Sequence, residues 1–342
     1  EDAGGEHFLS MVARHKNATT WCEAGHAVAW DHFAVPATKP RTAVSALSGT
    51  DEVRLRTEPD RFLVEAGQNT LEFDRETGEL CELRKGGDSL LSRPLRHNFM
   101  RARTDNDYMI GNPGNYYEQW TVAGLDRLRT ERIDCSATPL NDHLVLVRSE
   151  QRFAPEPSGA GLTVQTVYTI RGSGHVSVEA VVVPDASLPI LPRIGMRCGV
   201  RNGLKRLRWY GRGPHESYPD RKHGALFGIH ESMVEEQFFP FVDPCECGGH
   251  TDTRWIELFD EEGTALRVQG QPEFHFSALP YTQEELIRAG HVYELERAGD
   301  TILCIDGFHM GLGGDTGWSL NVHPEYLLPA DRTYRYGFAL VL

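Results

Sequence analysis

The chain has 342 residues, enough for one large domain or two ordinary ones with a sizeable core. Lys and Arg number 35 against 49 Asp and Glu, a formal net charge of −14. That balance argues against nucleic acid, whose phosphates require a basic surface, and against an anionic membrane. No apolar run approaches the roughly 18 residues of a membrane-spanning helix, and no secretory leader is legible. The first residue is Glu1 rather than Met, so a preceding segment is expected.

Residues 1–36 hold two runs that alternate apolar and polar side chains, His7–Ala13 and His26–Val35, the period of half-buried strands. Residues 37–50, rich in Pro, Thr, Ser and Ala without periodicity, read as a linker. From Asp51 to Leu342 short runs rich in Val, Ile, Thr and Tyr are set apart by Gly, Pro, Asp or Asn. Examples are Phe62–Ala66, Asn69–Asp74, Leu144–Arg152, Leu162–Ile170 and Val176–Val183. The pattern predicts an antiparallel all-β domain of about fifteen strands or more, suited to a large two-sheet sandwich. Helix is expected only at Tyr116–Leu128 and Thr282–Ala289, the second with a capping box of Thr282 and Glu285.

The seven cysteines, Cys22, Cys81, Cys135, Cys198, Cys245, Cys247 and Cys304, are odd in number and scattered. Reduced thiols in a cytoplasmic protein fit this better than a disulfide framework. Cys245, Cys247 and His250 form a candidate metal set with no evident fourth ligand; the alternative is two loop thiols.

Chemistry-bearing residues gather in a few polar stretches. Arg101–Asp107 ends in Asp105, Asn106 and Asp107, a run that favours a tight loop and also suits sugar hydroxyls. Arg193 stands on a predicted strand as a partner for a loop carboxylate. Trp209–Arg221 opens as an aromatic strand end, breaks at Gly211, Gly213 and Pro214, and presents Arg212, His215 and Glu216. Pro244–Trp255 carries Glu246. Ile305–Ser319 has glycine at five of fifteen positions, which suits a loop rather than a helix or a long strand. It carries Asp306, His309, Asp315 and Trp318. That indole is either tucked into the core or offered as a flat platform.

Together Trp209–Arg221 and Asp306–Trp318 resemble two signatures of the C-terminal small-chain domain of bacterial β-galactosidases in glycoside hydrolase family 2. These read W-Y-G-R-G-P-x-E-x-Y-x-D-R and D-G-x-x-M-G-x-G-G-x-x-S/G-W. Arg101–Asp107 is similar to the family's R-A-P-T-D-N-D, with Arg103 in place of the proline. Leu191–Gly195 is similar to L-P-R-x-G, and Pro244–Trp255 to P-Q-E-N-G-x-R-T-D-V-R-W. In the last, Cys245, Cys247 and His250 replace Gln, Asn and Arg; His215 and Ser217 likewise stand where the family has Gln and Asn. Asn17–His26 resembles the segment that closes the last immunoglobulin-like sandwich before that domain.

The resemblance implies a galactose-mutarotase-like super-sandwich over 51–342, preceded by the end of an immunoglobulin-like sandwich over 1–36. Two or three strands cannot form that sandwich alone. It implies a β-galactosidase whose paired catalytic glutamates, Mg and Na lie in a TIM-barrel portion or large subunit, in a homo- or hetero-oligomer. No cofactor is expected in this chain, which is expected to be inactive alone. Its contribution is Trp318, stacked on a galactoside. Asp315 and His309 are candidate neighbours; Arg212, His215, Glu216, Asp105, Asn106, Asp107, Arg193 and Glu246 are candidates to bind sugar or orient the loops. The alternatives are a carbohydrate-binding module and an aldose epimerase, the latter with a His as acid and a Glu as base on either side of a sugar ring.

Overall fold

The computed structural model describes residues 6–35, 51–108, 114–156, 159–316 and 322–342. Linker residues 37–50 and Trp318 lie outside them. Strands β1 (His7–Arg14) and β2 (Ala27–Val35) form an antiparallel pair of their own. Next come β3 (Val53–Thr57), β4 (Arg61–Ala66), β5 (Asn69–Asp74), β6 (Leu80–Lys85), β7 (Asp88–Ser89) and β8 (Leu91–Asn98). Helix α1 (Tyr116–Ala123) precedes β9 (Leu128–Asn141), β10 (Leu144–Pro155), β11 (Leu162–Arg171) and β12 (His175–Pro184). The remainder is β13 (Arg193–Val200), β14 (Arg206–Gly213), β15 (Leu226–Met233), β16 (Gly249–Phe259), β17 (Ala265–Leu279), α2 (Gln283–Arg288), β18 (Thr301–His309) and β19 (Tyr334–Val341).

Among the described residues every strand pairing is antiparallel, as the short alternating runs predict. The long strand β17 joins the two sheets. Its first part, Arg267–Gly270, pairs with β19, and its second, His275–Leu279, pairs with β18. Between them Gln271, Pro272 and Glu273 leave the ladder, because Pro272 has no N–H to give. One sheet continues from β19 through β12, β11 and β10 to β9; the other continues from β18 through β13 to β8 and the β3–β6 meander. Their inner faces meet in one apolar core. Phe62, Val64, Leu71 and Phe73 come from one sheet, and Val145, Tyr168, Val176 and Phe338 from the other. The rings of Phe73 and Tyr168 touch edge to face at 4.9 Å between centroids.

Both predicted helices form, with two differences. The first stops at Ala123, where Gly124 takes a left-handed conformation (φ 80°), and a 3₁₀ turn covers Leu125–Arg127. In the second, Thr282 Oγ1 accepts from Glu285 N at 3.1 Å, but Glu285 does not return the bond. Its carboxylate accepts instead from Arg288 and from Glu296 N, so the capping box is half made. The hairpin β1–β2 leans on the larger unit through Phe8 stacked on Phe227 at 4.7 Å and Trp30 Nε1–H donated to Gly224 O at 3.0 Å. Its outer face leaves Leu9, Met11 and Phe33 exposed.

Candidate functional site

Three loops converge at the ends of β8, β14 and β18. The expectation of a loop throughout Ile305–Ser319 is corrected for its first five residues. Ile305–His309 belong to β18, paired with β13 and in part with β17, and its one glycine, Gly307, sits directly against Tyr336. The loop begins at Met310 and is held from three sides. The fully buried Arg101 grips Asp107 with two bonds (2.7 and 3.2 Å) and donates to the carbonyls of Met310 (2.9 Å) and Gly311 (3.1 Å). Asn106 Nδ2 donates to Leu312 O at 3.0 Å. Asp220 accepts from Leu312 N (2.7 Å) and Gly313 N (2.9 Å). A Cβ on Gly311 would lie 2.7 Å from Asp220 Oδ2, and one on Gly313 2.5 Å from Asn106 Nδ2. The glycines are there because the clamp closes directly on the backbone.

The clamped loop borders a recess of about 770 Å³, lined among others by Asp105, Asn106, Glu216, Asp220, Phe241 and Glu246. Glu216 is tied down by Gly248 N at 2.8 Å and by Arg221. Asp105 is exposed at the rim. Beneath lies a buried polar cluster. Arg193 bonds Asp306 at 2.8 Å and approaches Glu246 at 3.6 Å, and all three are buried. One guanidinium therefore faces two carboxylates. Burial opposes the Arg193 charge, but the two acids hold it protonated, well above the usual range. The acids fare differently. Burial pushes Asp306 up to about 6 against the pull of Arg193. It also raises Glu246, whose Oε1 has no hydrogen-bond partner. Arg193 thus holds Asp306 by a direct bond and Glu246 only at longer range. His309 donates from Nδ1 to Met310 O (2.8 Å) and leaves Nε2 3.8 Å from Glu246; its ring lies 4.5 Å from that of His275.

The remaining candidates are scattered. Arg212 turns to Asp252 (2.6 Å) and to the carbonyls of Lys222 and Ala225, bracing its own loop. His215 is exposed on that loop. Asp315 accepts from His323 Nε2 at 3.1 Å in open solvent.

Residues 65–340 match the sequence profile described as beta galactosidase small chain. The chain belongs to that family. A beta-galactosidase of Priestia megaterium is 32% identical over 342 residues, covering 99% of this chain and 32% of its own length. One of Vibrio cholerae is 33% identical over 340 residues, covering 98% and 32%. This small chain thus spans about a third of the length of those relatives. A galactose mutarotase-like protein from Lactobacillus casei aligns over 82% of this chain and 99% of its own, with 12% identity and a TM-score of 0.46.

The small chain's departures from its family motifs have local explanations. Arg103, in the place of proline, stacks over Tyr108 at 4.3 Å and reaches Asp243 at 3.5 Å. His250 faces Gln237 Oε1 at 2.6 Å through Nε2 and Arg212 O at 3.3 Å through Nδ1, so neither nitrogen is left for a metal. Burial pushes the Cys245 thiol up to about 12 and Cys247 higher still. Among the described residues no group of His, Cys, Asp and Glu is arranged to hold a metal ion. Arg101, Asp220 and His275 emerge as site residues that the sequence reading left out. Arg101 and Asp220 were within its motifs, whereas no local signal marks His275.

Proposed function

We propose that this small chain is the C-terminal portion, or small subunit, of a β-galactosidase that hydrolyses terminal β-D-galactosides such as lactose. The TIM-barrel portion or large subunit supplies the two carboxyl groups that retaining hydrolysis requires at close range. It also supplies the Mg and Na sites, within a bacterial, cytoplasmic oligomer. The small chain supplies Trp318 as a flat surface for the apolar C–H face of the sugar. The hairpin β1–β2 is the end of an immunoglobulin-like sandwich completed by strands outside this chain. The observation that carries the reading is the clamp of Arg101, Asn106 and Asp220 on Met310–Gly313. It anchors the loop leading to Trp318 beside an acidic recess, which is what a projecting platform needs. The aldose-epimerase alternative needs acid and base on opposite sides of a sugar ring. His309 and Glu246 are instead 3.8 Å apart and buried, with no room for a ring between them.

A chromogenic galactoside tests the proposal. The chain alone should give no turnover, and mixing with the barrel-containing portion should restore it. In the assembled enzyme Trp318→Ala should raise KM about ten-fold, the loss of roughly 1.4 kcal/mol of stacking, with an unchanged melting temperature. Cleavage by the chain alone overturns the division of labour. Unchanged KM with lowered melting temperature makes Trp318 a core residue instead.

A further inference from the structure

Four residues beyond Arg193 along β13, about 13 Å at the rise of a strand, a second recess of about 230 Å³ opens beside β8 and the start of α2. Its wall carries three guanidiniums. Arg197 and Arg96 stand directly opposite each other across the β13–β8 ladder, and Arg93 is opposite Gly199. Like charges paired in this way destabilise a sheet. Two of the three are answered within the fold. Arg93 bonds Asp300 at 2.9 and 3.3 Å, and Arg197 bonds Glu284 at 2.9 and 2.5 Å. Arg96, which is exposed to solvent, has no hydrogen-bond or ion-pair partner among the described residues. Glu79 shares the recess without bonding it, and burial raises the Glu79 carboxyl while Arg96 pulls it down. Gly199, which lines the recess, is closely packed on its other side. A Cβ on Gly199 would lie 2.6 Å from both Asp300 Oδ2 and Ser92 Oγ. Pro94, Cys198 and Ile302 supply apolar wall.

We propose that this recess binds a small organic phosphate, with the phosphate on Arg96, the one guanidinium of the three left without a bonded carboxylate, and the carbon body along Pro94, Cys198 and Ile302. A guanidinium fork matches phosphate oxygens two at a time, and the volume leaves room for a short carbon skeleton. An anion here also removes the repulsion between Arg96 and Arg197. The site is independent of the galactoside reading, since none of its residues borders the clamped loop.

Calorimetric titration of the full protein carrying this chain, at constant ionic strength in chloride, tests it with glycerol 1-phosphate, inorganic phosphate and glycerol. Glycerol 1-phosphate should bind saturably, inorganic phosphate more weakly, and glycerol not at all. Arg96→Gln should weaken glycerol 1-phosphate about ten-fold or more, the loss of a bidentate charged pair. Without ligand that variant should melt at the same or a higher temperature, because one of two opposed charges is gone. Glu79→Gln should tighten binding by removing the like charge beside the phosphate. The proposal fails if neither phosphate binds saturably, if Arg96→Gln binds as the wild type does, or if Glu79→Gln leaves the affinity unchanged. Equal affinity for the two phosphates refutes the carbon-body contact.

Discussion

Asp107→Ala is expected to destabilise the chain by about 3–5 kcal/mol, because it strands a fully buried guanidinium. Arg101 and Asp107 are 0% and 1% exposed as side chains, so water cannot replace the lost partner. The Met310 and Gly311 carbonyls would remain on Arg101, but neutral acceptors do not cancel its charge. Asp107 also accepts from Thr104 N at 2.9 Å, so the substitution loosens the Arg101–Asp107 loop as well. Arg101 lies 5.4 Å above the Trp120 ring, and Trp120 Nε1–H donates to Ile190 O at 2.7 Å, which couples the clamp to α1. At roughly 2 °C or more per kcal/mol the melting temperature should fall by about 10 °C. The double change Arg101→Met with Asp107→Leu removes both charges, and it should cost much less than Asp107→Ala alone. In the double variant the Met310 and Gly311 carbonyls lose Arg101, so activity in the assembled enzyme should fall even where stability recovers. Denaturant unfolding of all three proteins, with galactosidase assays after assembly, checks this. A single variant no less stable than the double variant would show that the pair is not what holds the loop.

Much of this was legible in the chain because strands announce themselves by period. Phe62, Val64 and Ala66 recur at every second position of β4, and each is buried while the alternating Arg61, Leu63 and Glu65 are not. Asn115 caps α1 through Glu118 N and Thr282 caps α2, both local effects of neighbouring residues. The site was legible only as loops. Nothing in R-A-R-T-D-N-D tells which carboxylate meets an arginine, and the answer depends on a loop some two hundred positions later. Arg193 was legible as the partner of a loop carboxylate, but which carboxylate was not: it bonds Asp306, with Glu246 close by, and all three are buried. That pairing is set by the strand register of β13 with β18, which places Arg193 opposite His309 and Gly195 opposite Asp306. A glycine-rich stretch read as one loop proved to be strand up to His309, because a lone glycine is tolerated in a strand paired on both sides where a neighbouring ring fills its place.

Acid should weaken the fold steeply, and the buried histidines are the reason. Burial lowers His97 to about 4 and His250 to about 3, and it holds His275 and His309 well below the usual value. Their nearest charges do not help them protonate: His275 and His309 face each other and the guanidiniums of Arg193 and Arg101. A histidine whose folded pKa is depressed contributes stability that is present above its unfolded value and lost as the pH falls. Below about pH 6.5 the unfolded chain binds a proton at each of these positions and the folded chain does not, at roughly 1.4 kcal/mol per pH unit for each. By about pH 5.5 the four together cost on the order of 5 kcal/mol, a large share of a typical domain's stability. The two raised carboxyls work in the opposite direction. Asp306 and Glu246 take up protons in the folded state before the unfolded one, so their contribution grows as the pH falls through the folded pKa. Only two groups oppose four, so they offset only part of that loss. Urea unfolding between about pH 7.5 and 5.5 should therefore show a falling free energy with net proton uptake on unfolding. His275 has no hydrogen-bond partner at either nitrogen, so His275→Phe removes one titrating group without breaking a bond. It should flatten the slope by about one proton. A free energy independent of pH across this window, or a His275→Phe slope equal to the wild type's, would place these imidazoles in contact with water rather than sealed beneath the recess.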